Sequence, residues 1–338
     1  MLYFLTKAYH CHTIWGFIWG AGWRRVPYLQ PMSYEELFSR RRAPRGHYVF
    51  TDFDRMSAYE IQCAATVAET LKAADPAIRI YNHPLEVLER TPLLSRLQQV
   101  GINDFGVWRL DQGHRPSSYP VFIRAEDDCM RPDTGLLHNE AELDLALQDM
   151  KKRGIPLKRR IAVQYHAQSS PDGYFRKYGG INIGGKLVLQ HILRNTEWYV
   201  KRGQVERDAN SEREFLELFD NYEEHAEVLA KVFATAGIDY GRADYGFVDG
   251  RLQVFEINTN PTIPKLRKRR DRYARLRPTM LEAFEAMNQP PHSGGKPVPF
   301  ELPKPVFERF PPVNWRMRNY KAGYWLMAAS TLLRDPSI

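Results

Sequence analysis

The chain has 338 residues, of which 43% are hydrophobic, and it carries a formal net charge of +8. This length and composition exclude a disordered chain and predict a globular protein of two or three packed lobes. The positive balance favours an anionic ligand, with nucleic acid as the alternative. The cysteines Cys11, Cys63 and Cys129 are widely spaced, which argues against a disulfide framework and a Cys-based zinc site and fits a reducing cytoplasm.

Two segments bear on membrane and nucleic-acid partners. The apolar run at residues 14–23 is too short to span a bilayer and lacks the basic start and cleavage pattern of a signal peptide. We therefore expect a cytoplasmic protein with no membrane partner. The basic cluster at residues 265–272 predicts either a solvated helix start or a surface for an acidic substrate or a polyanion such as tRNA. No RNA-binding aromatic signature or Cys/His finger accompanies it, which disfavours nucleic acid.

Residues 1–110 predict a small N-terminal α/β domain, although residues before 46 follow no clean period and their fold is left open. Strands are predicted at 47–52, 78–81 and 105–110, and helices at 57–74 and 92–100. Ser57 and Glu60 have the spacing of a capping box. Strands that alternate with helices favour an α/β layer.

The remaining chain predicts two α+β lobes and a tail. The central lobe, residues 111–200, contains predicted strands at 120–124, 160–166, 174–183 and 186–194 and a helix at 139–153. A tight Gly184-Gly185 turn joins the last two strands. The C-terminal lobe, residues 201–290, opens with one long helix at 211–236. Residues 291–338 are rich in proline and aromatic residues and predict a tail packed over the surface.

Four polar residues mark a predicted hairpin at 242–258: Arg242, Asp244, Glu256 and Asn258. Side chains alternate along a strand, so the loop length decides whether the two pairs share a face. A two-residue Asp249-Gly250 turn would place Glu256 on the face opposite Asp244, whereas a three-residue loop would place all four together. We predict the three-residue loop. The alternative is an ordinary amphipathic hairpin with a solvated polar face.

Residues 242–245 together with 255–261 resemble the magnesium-binding hairpin of ATP-grasp enzymes. The resemblance implies that Asp244, Glu256 and Asn258 bind the magnesium ions that bridge the ATP phosphates. It also implies that Arg242 contacts those phosphates or an acyl phosphate. The order of segments over residues 45–290 is similar to an ATP-grasp fold, in which a small α/β domain precedes two lobes that clamp ATP.

The same resemblance extends to the predicted nucleotide site of the central lobe. Arg124 ends a strand that in the family normally ends in a phosphate-binding lysine, and Gln164 and His166 lie on the strand that reads the adenine. Asp172 stands about where the family has a ribose-binding acid, although a turn residue is the alternative. The loop at 125–135 is acidic and nearly free of glycine, unlike the glycine-rich phosphate lid of the family.

Further basic residues resemble the ligation motif of the central lobe. Arg176 and Lys177 stand where a basic residue contacts phosphate or the acyl intermediate, and they point to opposite faces of an undistorted strand. Arg194 is the corresponding residue of the next strand and a candidate substrate contact. His191 is a candidate substrate contact or base, with a structural histidine as the alternative.

These residues together predict an ATP-dependent ligase that joins a carboxylate to an amine through an acyl phosphate, with ATP and two magnesium ions as cofactors. Its substrates would be a small-molecule or peptide carboxylate and an amine acceptor, and a homodimer is compatible with the sequence. The alternatives are an ATP-grasp phosphotransferase and a noncatalytic nucleotide- or polyanion-binding protein. Arg124 and the missing glycine lid favour the noncatalytic reading.

Overall fold

The structure is a computed structural model that describes residues 1–21, 25–127, 131–201, 209–263 and 271–303. Its N-terminal part is a helix-covered sheet, and the elements in chain order are β1 (Leu2–Thr6), α1 (His12–Ala21), β2 (Leu29–Ser33), α2 (Tyr34–Arg40), β3 (Arg42–Ala43), β4 (His47–Phe50), α3 (Ala58–Ala74) and β5 (Ile80–Tyr81). Strands β2-β1-β4-β5 pair in that order, all parallel. The connection after β1 leads to β2 on one side of it, whereas the connection after β4 leads to β5 on the opposite side. The carboxyl ends of β1 and β4 therefore lie at a topological switch point.

The central lobe is a three-stranded antiparallel sheet covered by one helix. Its elements follow α4 (Arg90–Gln99) and are β6 (Val107–Arg109), β7 (Val121–Ala125), α5 (Glu140–Lys152) and β8 (Arg160–Gln164). The strand order is β6-β8-β7. The predicted strand at 105–110 is therefore β6, and it lies in this sheet rather than in the N-terminal layer.

The C-terminal lobe is a four-stranded antiparallel sheet with helices packed against it. Its elements are β9 (Phe175–Ile183), β10 (Lys186–Asn195), α6 (Ala209–Asp220), α7 (Glu223–Ala236), β11 (Tyr240–Val248), β12 (Arg251–Asn258) and α8 (Asp271–Met287). The order β10-β9-β11-β12 puts β9 and β10, which the sequence analysis assigned to the central lobe, beside the predicted metal hairpin. A short strand β13 (Val298–Pro299) then pairs with β3.

The predicted fold class, a small N-terminal α/β layer followed by two α+β lobes, is confirmed by these sheets. The single long helix predicted at 211–236 is wrong, because the chain breaks at Asn221 and Tyr222 into α6 and α7. Tyr222 turns inward there and its side chain is buried among aromatic neighbours. Of the basic cluster, residues 265–270 lie outside the described residues, and so do residues 304–338 of the predicted tail.

The clusters of buried apolar residues explain how the lobes are held together. One core joins the N-terminal layer to the C-terminal lobe, where the rings of Phe4 and Tyr240 pack edge to face with centroids 5.0 Å apart. The central lobe has its own core around Val121, Ile123 and Leu143. A smaller cluster of Leu94, Phe105, Ile161 and Val163, with Phe255 packed against it, joins the central sheet to α4 and β12, and the cleft between the central and C-terminal lobes lies beside it. No helix in the described ranges is both long and apolar enough to cross a bilayer.

Candidate active site

The loop of the predicted hairpin has two residues, so the prediction of a three-residue loop is wrong. Val248 pairs with Arg251, and the intervening Asp249 and Gly250 have φ of 49° and 75°. These values suit a type I′ turn, whose twist matches that of the flanking strands. Taken alone, this turn would separate Asp244 from Glu256.

A β-bulge restores the shared face. Tyr245 pairs with Val254 but Asp244 pairs with Glu256, so Phe255 is the extra residue of β12. Gly246 leaves room for the Phe255 ring, since a Cβ added there would lie 3.1 Å from it. Directly opposed residues share a face, so Arg242, Asp244, Glu256 and Asn258 lie on the same side of the sheet.

Asp244 is buried and held by two cations. The Arg242 Nε lies 2.7 Å from one carboxylate oxygen, and the Lys177 Nζ lies 2.9 Å from the other. Burial disfavours the charged carboxylate, but these cations outweigh it and hold the pKa of Asp244 well below its usual range. Burial likewise opposes the ammonium of Lys177, yet Asp244 and Glu256 raise its pKa.

Glu256 is bound by a residue that the sequence analysis did not identify, Arg90 at the start of α4. The Arg124 guanidinium lies 3.9 Å from the same carboxylate. Burial opposes the ionised form of Glu256, but Arg90 and then Arg124 and Lys177 hold its pKa below its usual value, although Asp244 acts against them. Arg90 is remote in sequence from the hairpin, and no local pattern distinguishes it.

His191 lies beside this ion-pair cluster. It pairs with Gly179, which in turn pairs with Asp244, and Gln190 is the unpaired residue of a bulge in β10. A Cβ on Gly179 would lie 2.4 Å from the His191 ring, so only glycine leaves room for this imidazole. Gln190 accepts a hydrogen bond of 3.2 Å from Arg242, so the bulge also helps to fix the Arg242 guanidinium.

An aromatic cavity extends from the carboxylates into the cleft between the central and C-terminal lobes. Seven of the predicted site residues line it: Arg124, Gln164, His166, Arg176, Lys177, Asp244 and Glu256. Its walls include Phe122 and Trp198, whose ring centroids are 4.9 Å apart, and Phe105, which packs against Phe255. The Gln164 side-chain oxygen accepts a hydrogen bond from the Gly106 backbone N–H at 2.9 Å.

Asp172 and Arg194 lie in a second, more polar groove with Arg176. Asp172 receives a bidentate pair from Arg176, with distances of 2.9 and 2.7 Å, and this pairing lowers the pKa of Asp172 to about 2. Arg176 also donates to Glu214 at 2.6 Å. Arg194 pairs with Arg176 across the strands and packs over the Tyr174 ring at 5.1 Å. Arg176 is thus engaged by carboxylates, whereas Lys177 faces Asp244.

The oxygen atoms of Asp244, Glu256 and Asn258 suit a hard cation that a bound phosphate ligand would also coordinate. Across the described ranges, no group of three or more His, Cys, Asp or Glu side chains could hold a metal ion. The candidate magnesium site offers two ionised carboxylates and the Asn258 amide oxygen, which accepts a hydrogen bond from the Asn260 backbone N–H at 2.8 Å. Magnesium is usually bound by one or two carboxylates plus phosphate and water oxygens, so the residues present fit it.

Comparisons with known proteins identify structural likenesses only. No protein-family model matches this sequence. No curated protein matches it either. Among solved structures, the D-alanine–D-alanine ligase of Bacillus anthracis complexed with ATP is 12% identical, with a TM-score of 0.44 over 85% of this chain and 98% of that one. The D-cycloserine synthetase DcsG is 18% identical, with a TM-score of 0.46 over 85% and 99%.

A third solved structure is the ATP-grasp ligase PsnB complexed with a phosphomimetic variant of its minimal precursor, Mg and ADP. It is 10% identical, with a TM-score of 0.48 over 85% of this chain and 97% of that one. In structure, the chain is similar to ATP-grasp ligases. With TM-scores below 0.5 and identities this low, the likeness assigns neither a substrate nor a reaction to the chain.

Proposed function

We propose that the chain is an ATP-dependent ligase that joins a carboxylate to an amine through an acyl phosphate and releases ADP and phosphate. The observation that carries the proposal is the pair of Asp244, which is buried, and Glu256, which is half-buried, enclosed by Arg242, Lys177 and Arg90 beside an aromatic cavity. A cluster of largely buried charges beside an apolar cavity is typical of a ligand-binding or catalytic site.

The charge balance of this site supports a polyphosphate ligand. Four cations, including Arg124, face two carboxylates, so positive charge is in excess before any ligand binds. Magnesium, when bound, would neutralise phosphate charge and connect the phosphates to the two carboxylates. Guanidinium groups bind phosphate oxygens in a bidentate manner, which suits Arg90, Arg124 and Arg242.

The reaction class follows from what such a site can do. A carboxylate does not react with an amine at neutral pH until its oxygen is converted into a better leaving group. Phosphorylation achieves this with little covalent chemistry by the protein, which must align the groups, offset their charge and exclude water. The aromatic walls exclude water, and Lys177 and Arg242 are fixed where negative charge would be transferred.

The test is the nature of the nucleotide product. Purified protein is incubated with ATP, magnesium and a mixture of the proteinogenic amino acids, and ADP, AMP, phosphate and pyrophosphate are quantified. We expect ADP and phosphate to form only when the carboxylates are present. Release of AMP and pyrophosphate would refute the acyl-phosphate route. A stable phosphorylated product without amide would instead identify a phosphotransferase.

A further inference from the structure

A buried His–Asp pair lies at the switch point of the N-terminal sheet, outside the site described above. The His10 Nδ1 is 2.5 Å from Asp52 Oδ1, and the Asp52 side chain is fully buried. The second Asp52 oxygen accepts the Lys7 backbone N–H at 2.8 Å. Asp52 has a left-handed φ of 63°, a strained conformation of the kind that concentrates at functional sites.

Asn260 connects this pair to the candidate magnesium site of Asp244, Glu256 and Asn258. Its side-chain amide donates to Asp52 at 2.9 Å, and its backbone N–H donates to the Asn258 amide oxygen at 2.8 Å. The Thr13 hydroxyl fixes the Asn260 oxygen at 2.7 Å. The Asn260 side-chain nitrogen also lies 3.2 Å from His10 Nδ1, so Asn260 alone separates His10 from the third predicted magnesium ligand, at the edge where the N-terminal layer meets the C-terminal lobe.

The contacts define which imidazole nitrogen can take up a proton. The His10 Nδ1 lies 2.5 Å from Asp52 Oδ1 and 3.2 Å from the Asn260 side-chain nitrogen. The shorter contact is with the carboxylate, which can only accept, and the Asn260 amide already donates to Asp52, so we assign Nδ1 as the donor nitrogen and leave Nε2 with the lone pair. The His10 side chain is 14% exposed, so the imidazole can be reached from the surface.

Among the charged and titratable neighbours of Asp52, His10 makes the shortest side-chain contact with its carboxylate. The Lys7 ammonium is engaged by Glu35 and Glu60 at 3.0 and 2.6 Å rather than by Asp52. Arg55 lies 3.8 Å from both Asp52 and Asp54. The rings of His12, which is exposed, and Tyr9 also lie close to the His10 ring, with centroid distances of 5.1 and 6.3 Å.

We propose that the His10–Asp52 pair forms the subsite for the primary amine acceptor and that His10 removes the proton of this amine during its attack. The inference rests on the proposed ligase function. The neutral amine nitrogen forms a bond to the acyl carbon, and the bond from that carbon to the phosphate oxygen breaks with its electron pair leaving on phosphate. One proton moves from nitrogen to His10 Nε2, and Asp52 stabilises the imidazolium, which then releases the proton to water.

The experiment separates activation of the carboxylate from transfer to the amine. The probes are the proteinogenic amino acids with ATP and magnesium, with or without hydroxylamine, a weakly basic nucleophile that is already unprotonated at neutral pH. Hydroxamate formation reports the acyl phosphate, and dipeptide formation reports transfer to an amine. We compare the parent protein with His10→Gln and with His114→Gln, a matched substitution of an exposed histidine in the loop after β6.

We expect His10→Gln to keep hydroxamate formation within about twofold and to lower dipeptide formation by roughly 10²–10⁴-fold, the scale of a general base. His114→Gln should match the parent protein in both. Equal losses in both reactions would identify His10 as a structural brace and overturn the proposal, as would unchanged dipeptide formation. A parent protein that forms neither hydroxamate nor ADP would refute the ligase function itself.

A measurement without substrate tests the same assignment. Nitrogen-15 NMR of the imidazoles distinguishes the two neutral tautomers. We expect His10 in the parent protein to carry its proton on Nδ1 at pH 7.5 and to lose this preference in Asp52→Asn, whose amide can donate to Nδ1. A proton on Nε2 in the parent protein would leave His10 without an acceptor for the amine proton and would overturn the proposal.

Discussion

At the residue scale, the site depends on a few largely buried charges, in which four cations surround two carboxylates. Asp244 and Glu256 stay ionised because cations compensate the loss of water around them. The sequence could indicate this pair because both residues lie on one hairpin, within reach of a spacing argument. Arg90 could not be predicted, because it approaches Glu256 only through the packing of α4 near β12.

The carboxylate pair can be tested by isosteric substitution. We expect Asp244→Asn and Glu256→Gln each to lower magnesium-dependent ADP formation by roughly 10²-fold or more, since each removes a charge placed where phosphate charge must be offset. The measurement is initial rate against magnesium concentration, with circular dichroism to confirm that the fold is intact.

The control for these variants is Glu227→Gln on the exposed face of α7, where Glu227 pairs with Lys231 at 3.0 Å. It removes the same charge from the surface and should leave the rate unchanged. Rates like those of the parent protein in both site variants would refute the assignment of the carboxylates.

At the scale of elements, sequence patterns located helices and strands better than they set register. The capping box at Ser57 and Glu60 is present as predicted, and the helix predicted at 139–153 is found at Glu140–Lys152. The bulge at Phe255 was not predictable, because it depends on the space left by Gly246 and on the packing of Phe105. Strand β1 was missed because a fully buried parallel strand is a short apolar run without alternation.

The turn of the metal hairpin predicts a difference between two glycines. Both Gly250 and Gly135 have open space where a Cβ would lie, but only Gly250 has a positive φ, 75°. We expect Gly250→Ala to lower the free energy of unfolding by about 1–2 kcal/mol, because an L-residue is strained there. Gly135→Ala should be neutral or slightly stabilising. Urea unfolding measures both, and equal effects would contradict the type I′ turn.

The packing of α7 on the sheet predicts a pH dependence. The His225 Nδ1 is 2.7 Å from the Tyr245 hydroxyl, and burial, opposed by Glu224, lowers the pKa of His225 below its ordinary 6.5. As the pH falls, His225 therefore takes up a proton at a higher pH in the unfolded chain than in the folded chain. The contribution of the neutral His225 to folding stability is fully present above about pH 6.5. It is lost as the pH falls toward the lower pKa that His225 has in the folded protein.

We expect the loss of stability between pH 7.5 and 5.5 to be smaller in His225→Gln than in the parent protein, as measured by urea unfolding at each pH. The same substitution at exposed His138 should keep the parent difference. A His225→Gln variant with an undiminished difference would show that burial of this imidazole does not set the pH response.

At the scale of the whole molecule, the N-terminal layer and the C-terminal lobe are one unit, and the central lobe faces them with its own core. The aromatic cavity therefore lies between this unit and the central lobe. The His10–Asp52 pair and the Asp244–Glu256 pair both belong to the unit. Sequence periodicity could suggest three regions but could not show which of them share a core, because that depends on contacts such as that of Phe4 with Tyr240.

Asn82 is the polar link within that unit. It is fully buried, and its amide donates to the carbonyl oxygens of Phe50 and Tyr240 at 2.9 and 2.7 Å. Its oxygen accepts the backbone N–H groups of Asp239 and Tyr240 at 2.7 and 2.9 Å. The side chain thus uses its full hydrogen-bonding capacity between the end of the N-terminal sheet and the start of β11.

Substitution of Asn82 by alanine should therefore destabilise the N-terminal layer and the C-terminal lobe together. It leaves four backbone groups to find new partners and places alanine at a left-handed φ of 56°, so we expect a loss of about 4 kcal/mol or more. Asn210→Ala removes the same amide from the surface, where its oxygen accepts from Arg213 at 3.0 Å, and should change stability by less than about 0.5 kcal/mol. Urea titrations followed by circular dichroism compare the two variants with the parent protein. An Asn82→Ala variant within about 1 kcal/mol of the parent would show that the shared apolar core alone joins the N-terminal layer to the C-terminal lobe.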